Sequence, residues 1–336
     1  MGSPPHPPYA LLLAALTVLA SCTKGAPPIE RSPIGVAEEV APDAALEALE
    51  ADGGSADDGE FFLDAYTGCT KVDFLFVVDN SGSMSSVQSQ LAAAFPDFIE
   101  SILRDVPGTD HHIMVVDSDG CEDESLHDCE TLPGSRYCPA YRWTACTPTQ
   151  LSTCDNVLGA GFTAGPLGFN CDFPDGRRYL KATDDRLVER FICAATTGTA
   201  GSSEELPMSA MVKALSPELA QPGGCSDGFL REDALLVVTI LSDDPETVDI
   251  DDALVGDPTL WYDAVVGAKN DPSEVVVIGI IPNGSRCQTT DRFVQFVELF
   301  GDQGQIGEVC SGDYTPTFTR AVTAISQACG EFSPIN

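Results

Sequence analysis

The fold is decided by residues 72–79, Val-Asp-Phe-Leu-Phe-Val-Val-Asp, and by the segment that follows them, Asn-Ser-Gly-Ser-Met at 80–84. The first run is short, mostly apolar and partly β-branched, which predicts a buried strand of a parallel sheet. Gly82 allows the backbone to turn sharply directly after it. Apolar residues at helical spacing then predict a helix over residues 86–104, at Val87, Leu91, Ala94, Phe95, Phe98, Ile99, Ile102 and Leu103.

The rest of the chain alternates strands with helices. We predict further strands at residues 112–117, 234–241 and 274–281. Further helices are predicted at residues 185–195, 203–220, 259–269, 291–300 and 315–329. Strands separated by helices form crossover connections, which place helices on both faces of a parallel sheet. The sequence therefore predicts an α/β fold with a doubly wound, mostly parallel central sheet, and ligands bound beyond the carboxyl ends of its strands.

Side chains with oxygen atoms gather at the predicted strand ends. Asp79, Ser81 and Ser83 alternate along the first turn, so their oxygens can converge on one point. The 234–241 strand ends in Ser-Asp-Asp at 242–244, and Thr-Thr-Gly-Thr at 196–199 precedes a helix. Hard oxygen ligands suit Mg²⁺, and also Mn²⁺ or Ca²⁺. The residues predict a divalent-cation site, and the alternative is a turn whose Asp and Ser cap the following helix.

The run at residues 72–84 closely resembles the opening strand of von Willebrand factor type A (VWA) domains. It contains their complete D-x-S-x-S motif, the start of the metal-ion-dependent adhesion site (MIDAS). The order of elements from about residue 70 to residue 330 is also similar to that family. The resemblance implies that Ser81 and Ser83 bind the metal directly and that Asp79 acts largely through water.

The same resemblance implies two further ligands from later loops. The aspartate is Asp243, because Ile-Leu-Ser-Asp-Asp matches the strand end of the family, and Asp244 is the alternative. The threonine is Thr199, which follows a glycine just before a helix, and Thr197 is the alternative. In the family a carboxylate from a partner completes the coordination. The resemblance therefore implies a partner protein or an extracellular ligand that presents Asp or Glu.

The chemistry of these residues favours binding over catalysis. Uncharged hydroxyls leave the cation able to accept a carboxylate oxygen from outside the chain. Next to the motif we find no obvious nucleophile or general base, and the four histidines lie elsewhere in the sequence, at His6, His111, His112 and His127. We expect a binding module and not an enzyme. Two alternatives are a metal-dependent hydrolase that uses the same cation and a scaffold whose metal site has no function.

The first residues predict export. Residues 10–20 form an apolar run that is too short to span a bilayer but typical of a signal-peptide core. Leu-Ala-Ser-Cys at 19–22 resembles a bacterial lipobox. It implies a lipoprotein signal peptide at residues 1–21 and an acylated Cys22, anchored in the bacterial cell envelope, which we assign to the outer membrane. The membrane is then contacted through the lipid alone.

A linker separates the anchor from the domain. Residues 22–68 are rich in Pro, Ala, Gly and acidic side chains, with eleven Asp and Glu against Lys24 and Arg31. Such a composition predicts a disordered, acidic linker, because it buries little apolar surface. The folded VWA-like domain is therefore expected at residues 69–332.

The cysteines predict a disulfide-rich protein. Thirteen cysteines in an exported chain favour disulfides, and the odd one is accounted for by Cys22. Half of the other twelve lie in a loop-rich insert at about residues 120–180, with spacings unlike those of zinc sites. The insert follows the carboxyl end of a strand and is expected on the metal-site face. There its aromatic side chains either recognise a partner or pack the insert onto the domain.

The pairing of the remaining cysteines is in part implied by the family. VWA domains commonly bring their two ends together, which implies a bond between Cys69 and Cys329. Cys287 and Cys310 bracket the helix after the last predicted strand and form a candidate pair. Cys193 and Cys225 then remain as a pair, unless either reaches into the insert.

The charge of the chain excludes several partners. It has 336 residues, with 52 Asp and Glu against 17 Lys and Arg, a formal net charge of −35. Binding to nucleic acid or to anionic lipid needs a basic surface, so we expect neither. Hydrophobic residues still make up 43% of the chain, enough to build a core.

Overall fold

The described part of the chain folds around a central six-stranded sheet with helices on both faces. A computed structural model describes residues 68–105, 110–118, 153–165, 170–199, 206–243, 256–284 and 291–332. The strands are β1 Lys71–Val78, β2 Asp110–Asp117, β3 Leu180–Lys181, β4 Leu235–Leu241, β5 Val275–Ile281 and β6 Gly304–Glu308. Their order in the sheet is β3-β2-β1-β4-β5-β6, and every neighbouring pair is parallel except β2 with β3. The predicted α/β class with a mostly parallel sheet is confirmed.

Seven α-helices lie within the described ranges. They are α1 Ser85–Asp105, α2 Leu187–Ala195, α3 Pro207–Ala214, α4 Pro217–Ala220, α5 Pro258–Gly267, α6 Asp291–Glu298 and α7 Thr315–Glu331. One hydrophobic cluster joins α1, α2 and α7 to one face of the sheet, and a second joins α3, α5 and α6 to the other face. Among the described residues, the structure has no helix that combines the length and apolarity needed to cross a bilayer.

The central strand β1 is buried on both faces, as its apolar run predicts. Phe74 and Phe76 belong to the cluster with α1, whereas Leu75 and Val77 belong to the cluster on the opposite face. All four side chains are fully buried. Side chains alternate across a strand, so a continuous apolar run is what a two-sided core requires. β4 and β5 also have apolar runs for this reason, and all of their residues are buried.

The helix α1 matches the predicted apolar stripe with one exception. Leu103 is 48% exposed, so the buried stripe ends at Ile102, one residue earlier than the sequence predicts. The predicted helix at residues 203–220 is divided in its described part into α3 and α4. The division comes at Pro217, which has no backbone N–H to donate and disfavours helical geometry in the residue before it.

Two strands were not predicted from the sequence. β3 has two residues and forms the antiparallel edge of the sheet. β6 is largely half-buried and contains Gly304 and Gly307 instead of an apolar run. A Cβ on Gly304 would lie 2.1 Å from the carbonyl oxygen of Val297, and one on Gly307 would lie 2.4 Å from Oγ1 of Thr317. These glycines therefore let β6 pack closely against α6 and α7.

The disulfides confirm one predicted pair and correct another. Cys69 is bonded to Cys329, and the N–H of Cys69 also donates to the carbonyl of Cys329 at 3.0 Å. The pairing of Cys193 with Cys225 is wrong, because both bond to cysteines of the insert, as Cys171–Cys193 and Cys154–Cys225. The end of the insert folds back along the sheet, where the N–H of Phe162 donates to the carbonyl of Val115 at 2.6 Å. Cys310 also forms a disulfide, and Cys287 lies outside the described residues.

Candidate metal centre

The candidate site lies where the ends of β1 and β4 meet. These two strands are parallel neighbours with Val78 opposite Leu241, and the N–H of Asp79 donates to the carbonyl of Leu241 at 3.0 Å. From this pair the sheet is built outward in opposite directions, through β2 on one side and β5 on the other. Such a switch point opens a crevice at the carboxyl edge of a parallel sheet, where ligands bind in folds of this class.

The carboxylate of Asp79 is held by both strand ends. Its Oδ1 accepts from the N–H of Ser81 at 2.8 Å, and its Oδ2 accepts from the hydroxyl of Ser242 at 2.7 Å. The residue is fully buried. Because both oxygens are engaged from fixed backbone positions, the carboxylate has a defined orientation before any ligand arrives.

Hydrogen bonds connect two serines next to Asp79 with a second carboxylate. Oγ of Ser81 lies 3.1 Å from Oγ of Ser83, whose hydroxyl donates to Oδ1 of Asp243 at 2.8 Å. Ser81 is buried, whereas Ser83 is exposed and Asp243 is half-buried. The structure therefore brings together four of the five predicted ligands, Asp79, Ser81, Ser83 and Asp243. The alternative aspartate, Asp244, lies outside the described residues.

The predicted threonine ligand belongs to the loop that follows α2. Thr199 has an exposed side chain, and its carbonyl oxygen lies 4.0 Å from where a Cβ on Gly82 would stand. The loop is thus placed against the turn after β1. Thr197, the alternative, is buried, and its hydroxyl lies 2.9 Å from the side-chain amide of Gln88. Through that amide Thr197 is connected to the turn.

Gln88 is a site residue that sequence reasoning missed. It lies on α1 and is 2% exposed, on the same apolar stripe as Leu91 and Phe95. A polar residue three and seven positions from large apolar ones faces the core, so its amide needs internal partners. A glutamine on the apolar face of a predicted helix is therefore the sequence signal that could identify Gln88. The turn after β1 is also connected to the end of β2, because the hydroxyl of Ser118, the residue after β2, donates to Oδ1 of Asn80 at 3.1 Å.

The donor set fits a hard divalent cation. Carboxylate and hydroxyl oxygens converge here, and these are the ligands that Mg²⁺, Mn²⁺ and Ca²⁺ prefer. Within the described ranges, no group of three or more His, Cys, Asp or Glu side chains is arranged to hold a metal. A cation at this edge would therefore depend on the hydroxyls of Ser81 and Ser83 as well as on carboxylates.

The described histidines lie at the opposite edge of the sheet. His111 and His112 begin β2 and pair with Val72 and Asp73, the first half of β1. Burial lowers the pKa of both imidazoles to about 4, so both are neutral at pH 7. His6 and His127 lie outside the described residues. Among the residues that the structure describes, no imidazole is therefore in reach of the carboxyl edge.

A buried ion-pair network occupies that opposite edge. Arg231 donates from Nε to Oδ1 of Asp73 at 2.8 Å and from its backbone N–H to Oδ2 at 2.7 Å. Its Nη1 donates to Oδ2 of Asp110 at 2.7 Å, and Nζ of Lys269 donates to the carbonyl of Arg231 at 2.7 Å. Burial raises the pKa of Asp73 to about 6, and Arg231 opposes that rise. The network fixes the start of β1.

A scan against protein-family models found no match, and a search of curated proteins also found none. We therefore infer the function from the sequence motif and from the geometry of the strand ends.

Proposed function

We propose that the chain is a VWA-type binding module that holds a divalent cation and, through it, the carboxylate of a partner. The observation that carries the proposal is the oxygen chain Ser81–Ser83–Asp243, which joins the turn after β1 to the end of β4. In the same proposal Cys22 anchors an exported lipoprotein in the bacterial cell envelope, and the acidic linker holds the domain away from the membrane.

The sheet topology supports the assignment to the VWA type. A doubly wound sheet with one antiparallel edge strand places the D-x-S-x-S turn at its central switch point. The end of β4 lies beside it and supplies Ser242 and Asp243. In this arrangement a motif that is common as a helix cap acquires a second, independent set of oxygens from another strand.

Each residue has a role that its contacts support. Ser81 and Ser83 would hold the cation through their hydroxyls, with Asp243, Asp79 and a threonine of the 197–199 loop around them. When bound, the cation supplies the positive charge that attracts a partner's carboxylate. Asp79 is oriented by Ser81 and Ser242, and Gln88 connects the loop to the turn. The neutral hydroxyls leave charge on the cation for that partner.

The acidity of the chain makes binding depend on the cation. The formal charge is −35, and the sequence just beyond Asp243 continues with further acidic residues. An approaching carboxylate is repelled by such a surface unless a local positive charge reverses the field. Partner binding should therefore be lost when the cation is removed with a chelator.

Replacing Ser81 by Ala is expected to weaken cation binding by about tenfold or more, because a buried oxygen of the site is removed. Isothermal titration calorimetry with Mg²⁺, Mn²⁺ and Ca²⁺ measures this directly on wild type and variant. The matched control is Ser89→Ala. Ser89 is an exposed serine of α1 whose hydroxyl donates to the carbonyl of Ser85 at 2.8 Å, and this variant should bind as wild type.

Two results would contradict the proposal. One is a wild-type protein that binds none of the three cations, which would leave a scaffold. The other is a Ser81→Ala variant with unchanged affinity. Cation-dependent turnover of a panel of esters and phosphates would instead favour the hydrolase. Capture of envelope proteins before and after EDTA then tests for the carboxylate partner.

A further inference from the structure

The side chain of Gln88 joins two parts of the candidate site that are far apart in sequence. Its Nε2 lies 3.0 Å from the carbonyl of Asp79, 2.9 Å from Oγ1 of Thr197 and 2.8 Å from the carbonyl of Gly198. Its Oε1 accepts from the N–H of Gly198 at 3.2 Å. The turn after β1 and the loop after α2 are therefore connected through one buried amide.

The partners fix the orientation of this amide. Two of them are carbonyl oxygens, which only accept, so the atom facing them must be the NH₂ group. The N–H of Gly198 donates and faces the amide oxygen, which agrees with the same orientation. The NH₂ group has two protons for three acceptors within 3.0 Å, so its donating capacity is fully used.

The hydrogen bond from Gln88 determines which lone pair of the Thr197 hydroxyl remains available and where its proton can point. A hydroxyl has one proton to donate and two lone pairs that accept. If one lone pair accepts from Gln88, the other remains for a cation, and the hydroxyl proton must point away from the amide. Thr197 is 4% exposed, so its side chain is held in place and not moving freely in solvent. The exposed Thr199 has no such restraint from Gln88.

We propose that Gln88 is a positioning residue that fixes the Thr197 hydroxyl against the turn after β1, and that Thr197 is therefore the threonine of the cation site. This inference rests on the proposed function. It replaces Thr199 with Thr197 in the expected ligand set. It also gives a buried polar residue on an apolar stripe a defined role, because Gln88 aligns two loops that would otherwise meet through backbone contacts.

The test compares cation affinity with folding in the full chain. Gln88→Leu should weaken Mn²⁺ binding by about tenfold or more in calorimetry, as loss of a partner that orients a ligand does. Thr197→Val should weaken it similarly, and the double variant should lose no more than the larger single loss, because both changes break one arrangement. Circular dichroism of the metal-free proteins should show the same folded spectrum for each.

A neighbouring threonine provides the matched control. Thr196 lies in the same loop, directly after α2. Its hydroxyl, however, donates to the carbonyl of Ile192 at 2.7 Å. Thr196→Val should bind Mn²⁺ with wild-type affinity. In the metal-free protein, hydrogen exchange at the N–H of Gly198 should be faster in Gln88→Leu than in wild type, because its acceptor is lost.

The outcomes separate this inference from the proposed function. Wild-type affinity in Gln88→Leu, with Mn²⁺ still bound by wild type, would overturn the role of Gln88 alone. Losses in Gln88→Leu and Thr197→Val that add fully would also overturn it. If Gln88→Leu does not fold, Gln88→Met keeps the length of the side chain without the amide, and it must show the same loss. No cation binding by wild type would overturn the proposed function itself.

Discussion

Replacing Arg231 by Met is expected to lower the free energy of unfolding by about 3–5 kcal/mol, the cost typical of leaving a buried charge without its partner. The Asp73 side chain is 1% exposed, and Arg231 provides its ion pair. Without the guanidinium the carboxylate stays buried in an apolar sheet. Urea unfolding followed by circular dichroism at pH 7.5 measures the loss.

The pH dependence of the Arg231→Met variant gives a second readout. The pKa of Asp73 is about 6 in the folded protein, so the group is ionised at pH 7.5. Loss of the guanidinium raises this pKa further, so the folded variant binds the proton more tightly than folded wild type does. Its stability should therefore increase relative to wild type as the pH falls from about 7.5 to about 5.

The matched control replaces both charges. Asp73→Leu combined with Arg231→Met removes the buried carboxylate together with its partner, and should recover most of the lost stability. A loss below about 1 kcal/mol for Arg231→Met alone, or a double variant as unstable as the single, would contradict the assignment of Asp73 as a buried ion.

Removing the disulfide between Cys69 and Cys329 is expected to lower the free energy of unfolding by about 2–5 kcal/mol. The bond joins residues 260 apart in sequence and ties the start of β1 to the end of α7. Without it the unfolded chain gains conformational freedom. Urea unfolding of the double variant Cys69→Ser, Cys329→Ser under non-reducing conditions measures the effect.

A shorter disulfide loop serves as the comparison. Cys154 and Cys225 are 71 residues apart, and loop-closure entropy grows with the logarithm of loop length. Replacing both by Ser should therefore lower the free energy of unfolding by about 1 kcal/mol less than the change at Cys69 and Cys329 does. A greater loss from the shorter loop, or no loss from the longer one, would show that the bond between the two ends does not stabilise the domain as expected.

The parts of the fold that could be predicted are those with a continuous apolar signal. β1, β4 and β5 are buried on both faces, so their sequences are almost uninterrupted apolar runs. β3 and β6 have no such signal, because one has two residues and the other contains glycines that admit neighbouring helices. The pairing of Cys154 and Cys171 with cysteines outside the insert also depends on where the returning chain lies, which spacing does not encode.

The candidate site also contains residues that the sequence predicts and one, Gln88, that it does not. Asp79, Ser81, Ser83 and Asp243 follow directly after buried strands, and parallel neighbours bring such positions to one edge. Gln88 lies within a helix, where a glutamine is usually an exposed residue. Its hydrogen bonds are to residues nine and 110 positions away in the sequence. No local pattern reports those distances.

Anomalous diffraction from Mn²⁺-containing crystals shows directly whether a divalent cation binds at the ends of β1 and β4. We expect an anomalous peak in contact with the hydroxyls of Ser81 and Ser83, close to Asp243. The same experiment on Ser81→Ala should show a weaker peak or none. Crystals of wild type with no peak at these serines, or with Mn²⁺ bound only elsewhere on the domain, would rule out a cation site at the ends of β1 and β4.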